Sequence, residues 1–432
     1  MPRPRPLPLA KKLLFAAVPL VVVLLVLTVG LRALERAGLV STVRDGDRVL
    51  YLTPDYLRVI QTPDGERVQL MDAQYPEVVQ ASMAQPKPQD VFRIVVVGGS
   101  FIRGEHYRGA DEGLGGYGSI PAWMQALLDH RYPSQRFEVI NAGGSAQSSY
   151  AVRDSVDALL QVEPDLVLVA SGANEGSAPP TAYNQALHSW VLYRAMKKGL
   201  LGEIPVEERP MLQPQDLGAE ELLGRYRDNL KLIARAGHNA QVPMAWVALP
   251  VNLLGYGRRF ELGQGSETWR AGQQLCSQAR YGEALERIAQ GQDTVEAMVS
   301  SAACLMEAGE HELAAEILGA AIELDPRGTA RPSFNDQVRR IAATRYAPLV
   351  DLEAELNALA PHGLAGDLYF WDHLHLTSEG YLWAARQVVE TLGDAGLLPT
   401  GAGEPLEDPS LEQLLEENGW VELHAQMVAV GR

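Results

Sequence analysis

Cysteine is nearly absent: Cys276 and Cys304 are the only two among 432 residues. Two cannot make a disulfide framework, although an oxidising compartment would permit a single bridge. No Cys/His spacing suits a zinc site, so no metal or other cofactor is expected. Positive charge is also scarce, with 37 Lys and Arg against 54 Asp and Glu and a net charge of −17. Beyond the N-terminus, basic residues form no run longer than a pair. Nucleic-acid phosphates would be repelled by such a chain, which excludes nucleic acid as a partner. Apolar residues make up 47%, ample for a large core. The length calls for a main domain plus an insertion or appendage.

Charge is missing altogether from Leu13 to Leu31, a run close to the ~20 residues of a membrane-spanning helix. Arg3, Arg5, Lys11 and Lys12 precede it, and Arg32, Glu35 and Arg36 follow. The positive-inside bias puts the N-terminus in the cytoplasm and everything after Arg32 on the far side, periplasmic or extracellular. A cleaved signal peptide is the rival reading, but it calls for an apolar region of ~7–15 residues and a small-x-small site, which fit poorly here. The run reads as a signal anchor, and the membrane as a partner through residues 13–31.

Residues 32–90 hold short alternating segments, Val49-Leu50-Tyr51-Leu52 and Arg67-Val68-Gln69-Leu70, with turns at Asp45-Gly46 and Asp64-Gly65. They read as a β-rich lead-in. Then come five short apolar runs, at 91–97, 137–140, 165–169, 244–249 and 349–351, alternating with helical stretches. Strands with helical crossovers imply a parallel α/β/α sandwich. Between the fourth and fifth strands, residues 260–340 turn to Ala, Leu, Glu and Gln at helical period. Ala302, Gly309, Ala314, Leu318, Ala321 and Pro326 fall at the offsets of a tetratricopeptide repeat, with a shorter echo at Gly272, Tyr281, Ala284 and Ile288. A helical hairpin packed on the main domain is the equal alternative.

Four segments fall just past the C-terminal ends of strands, where open α/β sheets keep their sites. Gly98-Gly99-Ser100 presents a hydroxyl. Asn141 to Ser149 is a small-residue loop whose backbone N–H groups can face a ligand. Ser171-Gly172-Ala173-Asn174-Glu175 offers a side-chain amide, and Asp372-His373-Leu374-His375 offers a base and an acid three residues apart. Acyl transfer needs a nucleophile, a base, an orienting group and donors for an oxyanion. The inventory is complete. Thr377 reads as the N-cap of a closing helix from Ser378. Arg103, Glu105, His106 and Tyr107 are candidates to line a pocket, as are Trp190, Tyr193 and Asn252, with loop filler the simpler reading of each.

These four blocks, in this order over residues 90–395, resemble the signature blocks of the SGNH/GDSL hydrolases. Gly99 stands where that family usually has Asp, and Glu175 where it has the Asp of Gly-x-Asn-Asp. The resemblance implies a flavodoxin-like three-layer sandwich around a five-stranded parallel sheet. It makes Ser100 the nucleophile, His375 the general base and Asp372 its orienter. The oxyanion hole would combine the backbone N–H of Ser100, that of Ala146 and the Asn174 amide. The family's glycine falls at Ala146, and an alanine resists positive φ. His373 lacks the family's spacing from Asp372 and reads as structural or substrate-facing.

The expected organisation is a cytoplasmic N-terminus (1–12), the anchor (13–31), the lead-in (32–90) and a hydrolase domain in two parts (91–259 and 341–398). The helical insertion (260–340) separates those parts, and a helical tail (399–432) closes the chain. The expected activity is hydrolysis of O-acyl esters, acetyl among them, on an envelope or extracellular glycan. An O-acyltransferase with the same triad is the alternative within enzymes. An inactive scaffold that recruits a protein partner through the insertion is the alternative outside them.

Overall fold

The computed structural model describes residues 9–37, 39–42, 56–71, 79–104, 117–175, 182–202, 218–256, 267–289, 295–325, 329–399 and 406–430. The expected turn at Asp45-Gly46, the segment Val49 to Leu52, Pro326, and Glu105, His106 and Tyr107 lie outside the described residues. The chain divides into two compact units, Met1–Pro54 with Pro179–Leu212, and Asp55–Ala178 with Gln213–Arg432.

The smaller unit is helical. Helix α1 (Leu9–Arg36) contains the apolar run, and its stretch Ala17–Glu35 is long and apolar enough to cross a membrane. Among its described side chains, Leu24, Thr28, Leu31 and Glu35 are half-buried while the rest are exposed. Spacings of four, three and four residues place them on one face. That face is covered from far along the chain, by the helix Val191–Leu201. Trp190 Nε1 donates to Thr28 Oγ1 at 3.2 Å, and Arg194 donates to Glu35 at 2.6 Å and to Thr42 Oγ1 at 3.1 Å. Trp190 is thus an anchoring contact, and not the loop filler its sequence context suggests.

The larger unit begins with three antiparallel strands, β1 (Leu57–Thr62), β2 (Gly65–Met71) and β3 (Val79–Ala84). A parallel sheet follows, built from β4 (Val91–Gly98), β5 (Arg136–Gly143), β6 (Leu166–Ala170), β7 (Met244–Ala248) and β8 (Leu349–Asp351). Its spatial order is β5-β4-β6-β7-β8, the flavodoxin-like arrangement in which the first strand lies between the second and third. Both faces are covered, which is why these strands read as unbroken apolar runs. Ile94 and Val96 project to one face and Val95 and Val97 to the other, all with 0% exposure.

Under the first face lie α3 (Ile120–Arg131), α13 (Leu352–Leu359) and α14 (Ser378–Asp394), the last capped by the Thr377 side chain accepting from Gly380 N–H. Under the second lie α4 (Ser149–Leu159), α7 (Ala219–Ala240) and α12 (Pro332–Arg345). The antiparallel sheet adds Val68, Leu70 and Met83 to that second core. In order along the chain, α2 is the single turn Ser100–Arg103, and α5 (Ala182–Ser189) and α6 (Val191–Leu201) belong to the smaller unit.

Between β7 and α12 the chain makes two helical hairpins, α8 (Glu267–Ser277) with α9 (Tyr281–Ala289), and α10 (Val295–Ala308) with α11 (His311–Leu324). A Cys276–Cys304 disulfide joins the first helix of each pair. Val299, Ala302, Leu305, Ala314 and Leu318 run into the core on the first face, so small and apolar residues at these positions serve close packing. Two short helices, α15 (Leu411–Glu417) and α16 (Val421–Val430), close the chain. His424 Nδ1 of α16 lies 2.7 Å from Tyr117 OH.

Candidate active site

Strand order reverses on either side of β4, and the crevice outside its C-terminal end is where such sheets take ligands. Gly98 lies so close to β6 that a Cβ there would fall 2.1 Å from the Ala170 carbonyl oxygen. The next residue is less tightly confined. A Cβ on Gly99 would sit 3.1 Å from both Asn174 Nδ2 and the Gln147 carbonyl oxygen. A side chain at Gly99 would have to displace Asn174 or the Gln147 carbonyl by a few tenths of an ångström. Two residues without side chains bring the segment that follows β6 against the start of α2, where Ser100 is 8% exposed.

The structure brings Ser100, His375 and Asp372 into one chain of contacts. His375 Nε2 lies 2.8 Å from Ser100 Oγ, and His375 Nδ1 lies 2.7 Å from Asp372 Oδ2. A carboxylate only accepts, so the proton between them sits on Nδ1 and Nε2 is left to accept from the serine hydroxyl. Asp372 Oδ1 accepts from the backbone N–H of Leu374 and of His375, both at 2.7 Å. One carboxylate thus shapes the turn with one oxygen and orients the imidazole with the other. Trp371 N–H donates to the His375 carbonyl at 2.8 Å, and Thr377 N–H to that of Tyr369 at 2.8 Å, closing a small β-turned loop. His373 Nδ1 is 3.8 Å from Asp372 Oδ1, against 2.7 Å for His375 Nδ1 to Oδ2, and its ring stands edge-on to that of His375 with centroids 6.5 Å apart.

The other two blocks meet the first. Asn174 Nδ2 donates to the Gln147 carbonyl at 3.2 Å, which leaves its second N–H for another acceptor. Ala146 adopts φ 54°. The strained left-handed conformation that an alanine resists is adopted all the same, at a cost of about 1–2 kcal/mol. Beside it, Arg103, 4% exposed, donates to Ser145 Oγ at 2.8 Å.

Two residues named in the sequence have buried partners that the sequence does not indicate. Asn252, read as loop filler, has 0% exposure. Its Nδ2 donates to the Asp372 carbonyl and to Asp367 Oδ1, each at 2.9 Å, and its Oδ1 accepts from Gly255 N–H at 2.7 Å. Its own N–H donates to the His373 carbonyl at 3.1 Å. The available signal was a polar residue just past a strand's C-terminal end. The second is Glu175, 5% exposed, which accepts from Ser149 N–H at 2.8 Å and from Ser149 Oγ at 2.6 Å. Burial pushes its carboxyl up to about 7, against those two hydrogen bonds.

No family model matches the chain, and no curated protein matches it. Among solved structures it is similar to an acetylxylan esterase from Geobacillus stearothermophilus at 13% identity, covering 70% of this chain and 94% of that one, with a TM-score of 0.36. An α/β hydrolase from the metagenome of Lake Arreo, Spain, matches at 15% identity over 70% and 94%, TM-score 0.36. The solved structures it resembles also include a GDSL-like lipase from Bacteroides thetaiotaomicron, at 13% identity over 72% and 93%, TM-score 0.36.

Proposed function

We propose that the chain is a membrane-anchored serine esterase that hydrolyses O-acyl esters through an acyl-Ser100 intermediate. The observation that carries this reading is the unbroken line from Ser100 Oγ through His375 to Asp372, at 2.8 and 2.7 Å. A serine hydroxyl is a poor nucleophile until a base takes its proton, and here the base already touches it. His375 Nε2 removes that proton as Oγ bonds to the acyl carbon. The carbonyl electrons move to oxygen, which the backbone N–H of Ser100, that of Ala146 and the Asn174 amide stabilise. The tetrahedral adduct collapses, the ester C–O bond breaks, and His375 returns the proton to the departing alkoxide. Water repeats the sequence in reverse order and frees Ser100. Asp372 keeps its negative charge throughout, opposite the imidazolium.

A glycan ester outside the cytoplasm is the substrate class that the family resemblance suggests. The Cys276–Cys304 bond agrees with an oxidising compartment. Retention of α1 is supported by its own contacts: a leader destined for removal has no reason to present Thr28 and Glu35 to Trp190 and Arg194.

A fluorophosphonate probe on the detergent-solubilised full chain tests the reading. Labelling at Ser100, abolished in Ser100→Ala, is the expected result. Turnover is then followed on p-nitrophenyl esters of increasing chain length, with and without an added sugar acceptor. Absence of labelling would leave an inactive scaffold. Acyl appearing on the sugar in place of free acid would make the enzyme a transferase.

A further inference from the structure

We infer that Glu175 is a positioning residue, whose ionised carboxylate caps α4 from a distance and thereby fixes the loop that holds Ala146 beside Asn174. The inference rests on the esterase reading for its kinetic consequence. Its structural basis is independent. Helix α4 begins at Ser149, and its own N-cap residue, Ser148, makes no side-chain hydrogen bond to the helix. Glu175 does that work instead, with one oxygen on the Ser149 N–H and the other on the Ser149 hydroxyl. An anion at a helix N-terminus is favoured by the exposed N–H groups and the helix dipole.

Adjacent residues therefore grip alternate positions of one loop. Asn174 takes the Gln147 carbonyl and Glu175 takes Ser149. Between the loop's start at Gly144 and these two grips lies Ala146 in its strained conformation. A strained φ persists only where the surroundings over-determine it, and the paired grips supply that constraint.

The surrounding groups leave the clamp little slack. Ser149 Oγ gives its proton to Glu175 and accepts from Asn229 Nδ2 of α7 at 2.9 Å. Asn229 Oδ1 in turn accepts from Arg153 of α4 at 3.1 Å, and Arg153 pairs with Asp154. Tyr226 of α7 donates to the Ser171 carbonyl at 2.9 Å, and its own ionisation is suppressed by burial and by the Glu175 charge. Both protons on Ser149 point at Glu175.

The test uses the full chain in detergent, with p-nitrophenyl acetate turnover and amide hydrogen exchange at residues 146–149. Glu175→Gln should lower kcat roughly 10- to 100-fold, the scale of a small misplacement in a catalytic site, with KM within about twofold. It should also loosen protection at 146–149. Glu175→Asp, which keeps the charge, should recover part of kcat. Wild-type kcat in Glu175→Gln would overturn the inference, as would equal impairment of the Gln and Asp variants with unchanged exchange. If Glu175→Gln fails to fold, Ser149→Ala decides: it removes one of the two donors to Glu175 and should loosen protection at 146–149. Unchanged protection in Ser149→Ala overturns the clamp. An unreactive wild type would defeat the esterase reading, while exchange would still decide the clamp.

Discussion

Asn252 donates a hydrogen bond to the carbonyl oxygen of Asp372 across 120 residues of sequence, at 2.9 Å, from a site with no solvent exposure. The residue that leaves β7 toward the insertion is thus fastened to the loop that carries the candidate base. Because Asn252 touches neither the serine nor the imidazole, its contribution to turnover is geometric.

Asn252→Ala should therefore lower kcat for p-nitrophenyl acetate by roughly 10- to 100-fold while leaving KM nearly unchanged. It strands the Gly255 N–H, which should cost about 1–3 kcal/mol of stability. Steady-state kinetics and thermal melts on one preparation check both effects, and a loss confined to stability would mean that the loop holds its shape without this residue.

Ser100→Ala and His375→Ala should each remove ester hydrolysis by several orders of magnitude, with melting temperatures near that of the wild type. Groups acting in one transition state are not additive, so the double variant should be no worse than either single one. Asp372→Asn should cost about 10⁴-fold through the wrong imidazole tautomer. Equal rates in wild type and Ser100→Ala would end the proposal.

Ala146→Gly should stabilise the protein by up to about 1 kcal/mol, because glycine adopts φ 54° without strain. Activity should be retained, since the backbone N–H is preserved. Chemical denaturation with coincident probes measures the gain; destabilisation would mean that the alanine methyl makes contacts outweighing its strain.

Stability should depend on pH through Glu175 with a definite sign. Its carboxyl is raised to about 7 in the fold, above the ordinary value of an unfolded glutamate. The stabilisation from its protonated form is complete below the unfolded value and disappears as pH rises through about 7. Glu175→Gln carries no such term, so its melting temperature relative to wild type should rise as pH is taken from 5 to 8. A difference independent of pH would refute the shift.

Reduction of the Cys276–Cys304 bond should destabilise the helical insertion. A 28-residue separation corresponds to about 3–4 kcal/mol in a chain-entropy account. Melting with and without dithiothreitol checks this, and cleavage of the small ester at moderate temperature should survive.

The parallel sheet was legible because strands buried on both faces leave short β-branched runs, such as Val91 to Val97, that nothing else explains. Ser100, Asn174, Asp372 and His375 were legible because open sheets place chemistry past strand ends and these four stand there. The buried supports were not. Asn252 acts through Asp372 and Glu175 through Ser149, and a lone polar residue in a loop does not announce a partner 120 or 26 positions away. Left-handed backbone at Ala146 was illegible for a different reason: local preference argues against it, and only tertiary constraint selects it. Trp190 reads as loop filler in sequence because its partner lies on α1, more than 150 residues earlier.

The half-buried stripe on α1 also bears on how the protein can be handled. Any fragment that begins after Glu35 removes the helix on which α6 packs, while leaving α6 itself, with Val191 and Leu192 buried in the intact chain. Arg194 would lose its carboxylate in the same cut. Such a fragment carries an orphaned docking face, and its self-association would report a missing mate. Helix α1 behaves as the first half of a clasp, and trimming it opens the second half.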